Sequence, residues 1–182
     1  GESGCGKSSM GRALVQMPSP TGGTVEYDGE ELTTMSSGRL RRCRLDLQMV
    51  FQDPRSSLHP RRTVAQIVDE PLRIWRIGTA ASRRALVDET LVAVGLDPAV
   101  HRDRRPGALS GGQCQRVAIA RALVAGAKVL VCDEPISSLD VSLRATVLNL
   151  LEDLKAERDL TIVFIAHDLA VVRNVSDRIM VM

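Results

Sequence analysis

The chain opens on Gly1-Glu2-Ser3-Gly4-Cys5-Gly6-Lys7-Ser8, and this spacing restricts the possible folds more than anything that follows it. Three glycines within six residues let the backbone curl so that successive N–H groups point inward, and the helix read from Lys7 onward directs its positive end at the same place. Such a cradle binds phosphate oxygens. In the pattern GxxxxGK[ST], Lys7 reaches the β- and γ-phosphates of a nucleotide and the Ser8 hydroxyl ligates Mg²⁺. The motif belongs on a strand-to-helix turn, so an α/β layer is expected. Gly1 already lies inside it, and the reading is of a partial domain, truncated at both ends.

Downstream periodicity agrees with an α/β layer. Met10, Ala13, Leu14 and Met17 recur at helical spacing and predict a helix over 7–17, ended by Pro18 and Pro20. The Asp28-Gly29 pair predicts a hairpin turn between strands at 24–27 and 30–32. Strands are expected at 47–51, 129–133 and 161–166, and 178–182 reads as the start of another. Helices are expected at 64–75, interrupted by Pro71, and at 82–94, closed by Gly95, with Leu86, Val87, Thr90, Leu91 and Val94 as its buried stripe. Two more are expected over 113–125 and 142–157. Apolar strands alternating with amphipathic helices indicate a parallel sheet. The stretch 53–112 is helical and loop-rich and reads as an insert. Trp75, spaced helically from Val68 and Leu72, is expected in the core; His59 and His101 are expected on surface loops.

Two further segments carry chemistry. Val129 to Asp133 is an apolar run ending in a carboxylate, followed at once by Glu134. An aspartate closing a buried strand at the carboxyl edge of a sheet can hold Mg²⁺, and the next carboxylate can orient and deprotonate an attacking water. Leu109-Ser110-Gly111-Gly112-Gln113 precedes a helix and offers a second anion-binding helix start. One nucleotide rarely uses two such cradles from one chain. The economical explanation is that the second faces the γ-phosphate of a nucleotide held by a second subunit.

With these residues in order, the sequence resembles the nucleotide-binding subunits of ABC transporters. The Walker A loop is Gly1, Glu2, Ser3, Gly4, Cys5, Gly6, Lys7 and Ser8, with Ser9 adjoining. The Q-loop glutamine is Gln52, the signature runs Leu109 to Gln113, Walker B ends at Asp133, the D-loop carries Asp140, and the switch histidine is His167. The resemblance implies a P-loop NTPase of RecA-like α/β fold, with 1–182 a partial nucleotide-binding domain and 53–112 its helical subdomain. It implies ATP and Mg²⁺ as cofactors, with Ser8, Gln52 and Asp133 at the metal. Glu134, His167, Gln52 and Lys7 are the catalytic set, Asp140 communicates across the dimer, and Cys5, Ser9, Cys114, Ile136 and Ser138 depart from the usual residues. The stretch from Asp53 to Val64, with Glu70-Pro71-Leu72, is similar to the dipeptide, oligopeptide and nickel importer branch.

The implied partners are a second ATPase subunit, identical or related, two membrane-spanning permease subunits and, indirectly, an extracytoplasmic solute-binding protein. The implied location is the cytoplasmic face of the membrane, and the 182-residue chain alone is expected to bind ATP weakly and to lack ATPase activity. The alternative is a non-transport ABC ATPase, translation-associated or of the DNA-repair type; the latter inserts a long coiled coil, and no heptad tract lies between Lys7 and Asp133. Composition sets the outer limits. With 24 basic and 22 acidic residues and a net charge of +2, no strong field points to nucleic acid or anionic lipid. No apolar run approaches the roughly 20 residues that span a bilayer. Cys5, Cys43, Cys114 and Cys132 show no metal-ligand spacing. Arg39, Arg41, Arg42 and Arg44 read as a solvated helix face.

Overall fold

The protein is described from a computed structural model covering residues 5–182. Helix α1 spans Lys7–Leu14, a small hairpin pairs β1 (Glu26–Tyr27) with β2 (Glu30–Glu31), and α2 (Ser37–Asp46) leads into β3 (Leu47–Val50). Then come α3 (Pro54–Ser57), α4 (Val64–Ile74), α5 (Ala80–Ala93), α6 (Pro98–His101), a 3₁₀ turn (Pro106–Ala108) and α7 (Gly111–Leu123). The chain continues through β4 (Val129–Asp133), α8 (Val141–Arg158), β5 (Thr161–Ile165) and α9 (Leu169–Val175).

Strands β3, β4 and β5 form one parallel sheet with β4 in the middle; Leu47 lies opposite Val129, and Val129 opposite Thr161. Because side chains alternate along a strand, Leu130 and Cys132 join the larger buried cluster on one face while Val131 joins a smaller one with Val15, Leu32, Leu47 and Ile165 on the other. Both faces are covered, which is why β4 is a continuous apolar run rather than a polar alternation. On the smaller side α1 lies close against the sheet, and a Cβ on Gly11 would stand 2.6 Å from Ile165 Cδ1.

The larger cluster is built mainly from helices. Val64, Ile67, Val68 and Leu72 of α4, Val87 and Leu91 of α5, and Val117 and Ile119 of α7 are each at most 1% exposed. Each such side chain contributes about 1.5–3 kcal/mol of burial against the entropy of ordering it. Three of these helices begin in capping boxes, Thr63 with Gln66, Thr79 with Ser82, and Ser110 with Gln113. Each satisfies two N–H groups that a helix start would otherwise leave unpaired.

Several sequence expectations need correction. The first helix stops at Leu14 rather than residue 17. Gln16 turns to φ 57°, and Met17 is 54% exposed. The turn is held by Arg44, whose guanidinium donates to the carbonyls of Val15 (3.2 Å) and Gln16 (2.6 Å), so Arg44 closes the end of α1 and is not a solvated residue of α2. Trp75 is half-buried at the end of α4 with the Arg41 guanidinium 5.0 Å from its ring centroid, a cation–π pair rather than a core aromatic. Residues 178–182 pair with no strand among the described residues, and Ile179, Met180 and Val181 are exposed. The hairpin forms as expected but is only two residues long on each side, its turn residues Asp28 and Gly29 at φ 52° and 75°.

Candidate functional site

The carboxyl ends of β3, β4 and β5 open toward the N-terminus of α1, and most of the residues singled out in the sequence meet there. Gly6 caps α1 at φ 94°, ψ 4°, a left-handed conformation that glycine adopts without the strain a Cβ would bring. From the first turn of α1 the Ser8 hydroxyl donates to Asp133 Oδ1 at 2.9 Å. Asp133 is 3% exposed at the last position of the central strand. A buried carboxylate is costly without donors or a cation, and it has acceptor capacity beyond one hydroxyl. Gly1, Glu2, Ser3 and Gly4 lie outside the described residues. Ser9 is exposed on the same turn as Ser8, and Lys7 donates to the Cys5 sulfur at 3.2 Å.

Glu134 is the second focus. It leaves β4 in a left-handed conformation (φ 46°), a strain of about 1–3 kcal/mol for a residue with a side chain. Its N–H still donates to the Ile165 carbonyl at 2.9 Å, so the turn stays fastened to β5 while its side chain swings over the strand ends. There Glu134 Oε2 accepts from Gln52 Nε2 at 3.1 Å and lies 3.5 Å from His167 Nδ1. Gln52 follows β3, Glu134 follows β4 and His167 follows β5, so the two outer strand ends bring Gln52 and His167 to one carboxylate oxygen of Glu134 at the end of the central strand. A cleft of about 660 Å³ lined by Ser8, Gln52 and Asp133 opens beside them.

The model of the family described as ABC transporter matches residues 1–137. The chain belongs to the ABC transporter family. It is 48% identical to the oligopeptide transport ATP-binding protein OppF of Escherichia coli, 46% to AppF of Bacillus subtilis and 47% to the dipeptide transport ATP-binding protein DppF of Escherichia coli. Each comparison covers 100% of this chain and 54%, 55% and 54% of those proteins respectively, so the chain spans about half the length of the relatives it matches. Among solved structures, a dimeric ATP-binding cassette in a post-hydrolysis state with ADP and Pi matches with a TM-score of 0.80 at 33% identity, covering 92% of this chain and 72% of that one. The cbiO1 subunit of Clostridium perfringens, part of the cbiONQ ABC transporter complex, matches at 0.86 with 30% identity over 97% and 68%. The α/β fold with a parallel sheet read from the sequence is the fold of ABC cassettes.

The segment Leu109–Gln113, which the resemblance reads as the signature, stands apart from this cluster, on the helical side. Ser110 caps α7, its hydroxyl accepting from Gln113 N–H at 3.2 Å while Gln113 Oε1 accepts from Ser110 N–H at 2.9 Å. Leu109 is buried; Gly111 and Gly112 form the first turn. A Cβ on Gly112 would come within 3.2 Å of the Leu143 side chain, so this glycine also permits close packing of α7 on α8. Asp140 caps α8, accepting from Leu143 N–H (3.0 Å) and the Ser142 hydroxyl (2.7 Å), and these bonds hold its carboxyl below the usual range. The structure thus groups Ser8, Gln52, Asp133, Glu134 and His167, and sets Ser110–Gln113 and Asp140 elsewhere.

Three residues that sequence reasoning missed hold these segments in place. Arg55, just past Gln52, donates to the Leu109 carbonyl at 3.0 Å, and Arg121 of α7 donates to the Ser57 carbonyl at 2.6 Å. α3 is thereby tied both to the segment that leads into α7 and to α7 itself. His101 contacts Gln113. In a chain this rich in arginine nothing local distinguishes those two from their neighbours, and His101 sat in what read as a surface loop.

Proposed function

We propose that the parent protein is the ATP-hydrolysing subunit of an ABC importer, most of whose nucleotide-binding domain lies within residues 1–182, with 53–112 as its helical subdomain. The observation that carries this reading is the convergence on one sheet edge of the Ser8–Asp133 pair and of Glu134 with Gln52 and His167. Helices α3 to α6 all fall within 53–112, which supports the subdomain boundary.

The residues fit MgATP. A hydroxyl and a buried carboxylate offer oxygen donors to a hard cation at the start of a helix, and among the described residues no cluster of three or more His, Cys, Asp or Glu exists to hold a metal unaided. Ser8 and Asp133 would therefore hold Mg²⁺ together with phosphate oxygens and water, with Gln52 beside them. Bound Mg²⁺ supplies charge neutralisation on the phosphates. Lys7 and the N–H groups at the start of α1 would stabilise the transferring phosphoryl charge without reorganising. Glu134, aimed across the strand ends, accepts a proton from the attacking water; Gln52 and His167 fix its carboxylate and the water beside it.

A second ATPase subunit, identical or related, would place its own Ser110–Gln113 segment against the nucleotide held by this chain, and Asp140 would sit at their junction. The solved dimer with ADP and Pi supports pairing of two cassettes. Peptide transport by the relatives supports a peptide as solute, two permeases as membrane partners and a peripheral position at the cytoplasmic face. Among the described residues no helix is long and apolar enough to cross a membrane. The test is to reconstitute the full-length protein with its permeases in liposomes. Mg²⁺-dependent ATP hydrolysis coupled to peptide uptake is expected; hydrolysis indifferent to permeases and peptide would point to a non-transport ABC ATPase.

A further inference from the structure

We infer that His101 is a positioning residue for the signature turn: it locks the Gln113 amide in the one orientation that completes the α7 capping box. This rests on the reading that Ser110–Gln113 faces a nucleotide held by a second subunit, and goes beyond it by naming what holds that turn in register.

The hydrogen-bond chemistry leaves little freedom. His101 Nδ1 lies 2.9 Å from the Asp97 carbonyl oxygen, which can only accept, so Nδ1 carries the ring proton and Nε2 is left as an acceptor. Gln113 Nε2 lies 3.2 Å from that acceptor and donates to it. The other end of the same amide, Oε1, faces the Ser110 N–H at 2.9 Å and accepts. Reversing the amide would set donor against donor at Ser110 and acceptor against acceptor at His101. Both contacts select the same orientation.

The support behind His101 is rigid. Asp97 caps α6 through the Ala99 N–H at 2.9 Å, fixing the start of the turn whose far end carries His101. Beyond it, Val64 N–H donates to the Arg104 carbonyl and Ala65 N–H to the Arg102 carbonyl, each at 2.9 Å, which fastens this bracket to the first turn of α4. Arg102 pairs with Asp88 of α5 at 2.9 Å. His101 therefore transmits the position of the helical subdomain to Gln113, and Gln113 transmits it to Ser110, whose hydroxyl proton and neighbouring helix N–H groups stay available to an anion. Without the imidazole acceptor the Gln113 amide is free to turn away and the box is left half made.

The experiment uses the full-length subunit and its cognate second ATPase subunit, both in a Glu134→Gln background where MgATP holds the pair closed without turnover. ATP-driven association is read by energy transfer between labelled subunits, and nucleotide binding by the isolated subunit is read with a fluorescent ATP analogue. His101→Phe keeps a ring without an acceptor; His101→Gln places an amide oxygen near the position of Nε2; His101→Asn keeps a polar group that stops short of it. The expected result is that Phe and Asn weaken ATP-driven association about fivefold, the scale of one neutral hydrogen bond, while Gln restores it to within about twofold. Binding by the isolated subunit should be unchanged in all three. Association unaffected by Phe and Asn, or lowered equally by all three, overturns the assignment. Ser110→Glu is the control for the underlying reading: if it leaves association intact, the signature does not face the second nucleotide and the proposal falls with that reading. If His101→Phe alone fails to fold, the comparison of Asn with Gln decides.

Discussion

The Ser8 hydroxyl donates to the Asp133 carboxylate across 2.9 Å, joining the first turn of α1 to the end of the central strand. Asparagine at 133 keeps an oxygen for that hydroxyl and removes a buried charge, so the fold should tolerate it. In the full-length protein, Asp133→Asn is expected to cut Mg²⁺-dependent ATP hydrolysis by about 100-fold or more, with a thermal midpoint equal to or above that of the parent. Retained Mg²⁺-dependent turnover would take Asp133 out of the metal site.

Glu134 meets Gln52 and His167 at one carboxylate oxygen. Glu134→Gln keeps the size of the side chain and a partner for Gln52 while losing the base. Hydrolysis should fall by roughly 10² to 10⁴ with ATP affinity preserved, measured as single-turnover rate and equilibrium binding on the full-length enzyme. A purified variant that turns over at a near-normal rate would show that another group takes the proton.

Cys5 is exposed, and the hydrogen bond from Lys7 holds its thiol below the ordinary value. Burial does the opposite at Cys114 and pushes Cys132 up to about 12, while Cys43 is half-buried with Met35 sulfur 3.6 Å away. A lowered thiol pKa means that more reactive thiolate is present at a given pH. In a full-length variant carrying Cys43→Ser, Cys114→Ala and Cys132→Ala, maleimide labelling of Cys5 should plateau at a lower pH than a free thiol of pKa about 8.5. MgATP should slow labelling and labelling should abolish activity. Labelling that MgATP does not slow would place the Cys5 side chain away from the nucleotide.

Asp159 ends α8 in a left-handed conformation (φ 51°, ψ 45°), where a side chain is strained and a negative charge opposes the helix dipole. Asp159→Gly removes both penalties and is expected to stabilise the domain by about 1 kcal/mol without changing turnover. Denaturant unfolding of the full-length protein measures the first and steady-state ATPase the second. A lower unfolding midpoint would mean that the aspartate makes a compensating bond.

Much of the fold was legible because it is governed by local rules. β4 was recognisable as an unbroken apolar run, α5 by its stripe at Val87, Thr90, Leu91 and Val94, and the start of α7 by Ser110 and the two glycines after it. The errors fall where a distant partner decides. Helical spacing carried the first helix to Met17, but Arg44 takes the carbonyls of Val15 and Gln16, and the helix ends at Leu14. Trp75 had core spacing, yet the ring meets Arg41 from α2 at the rim of the helical region.

The candidate site divides along the same line. Residue types and spacing alone pointed to the phosphate-loop pattern, the paired carboxylates Asp133 and Glu134 and the serine-capped turn at 110, since each is a short pattern whose chemistry is carried within a few residues, whereas Gln52 and His167 came only with the family resemblance. Only the tertiary structure decided that Gln52, Glu134 and His167 share one carboxylate oxygen, that Ser8 reaches Asp133, and that Arg55, Arg121 and His101 hold the intervening segments. The physical reason is that those relationships are set by the order and register of three parallel strands and by side chains reaching carbonyls up to 64 residues away. A hydrogen bond between groups so far apart leaves no periodicity in the chain that makes it.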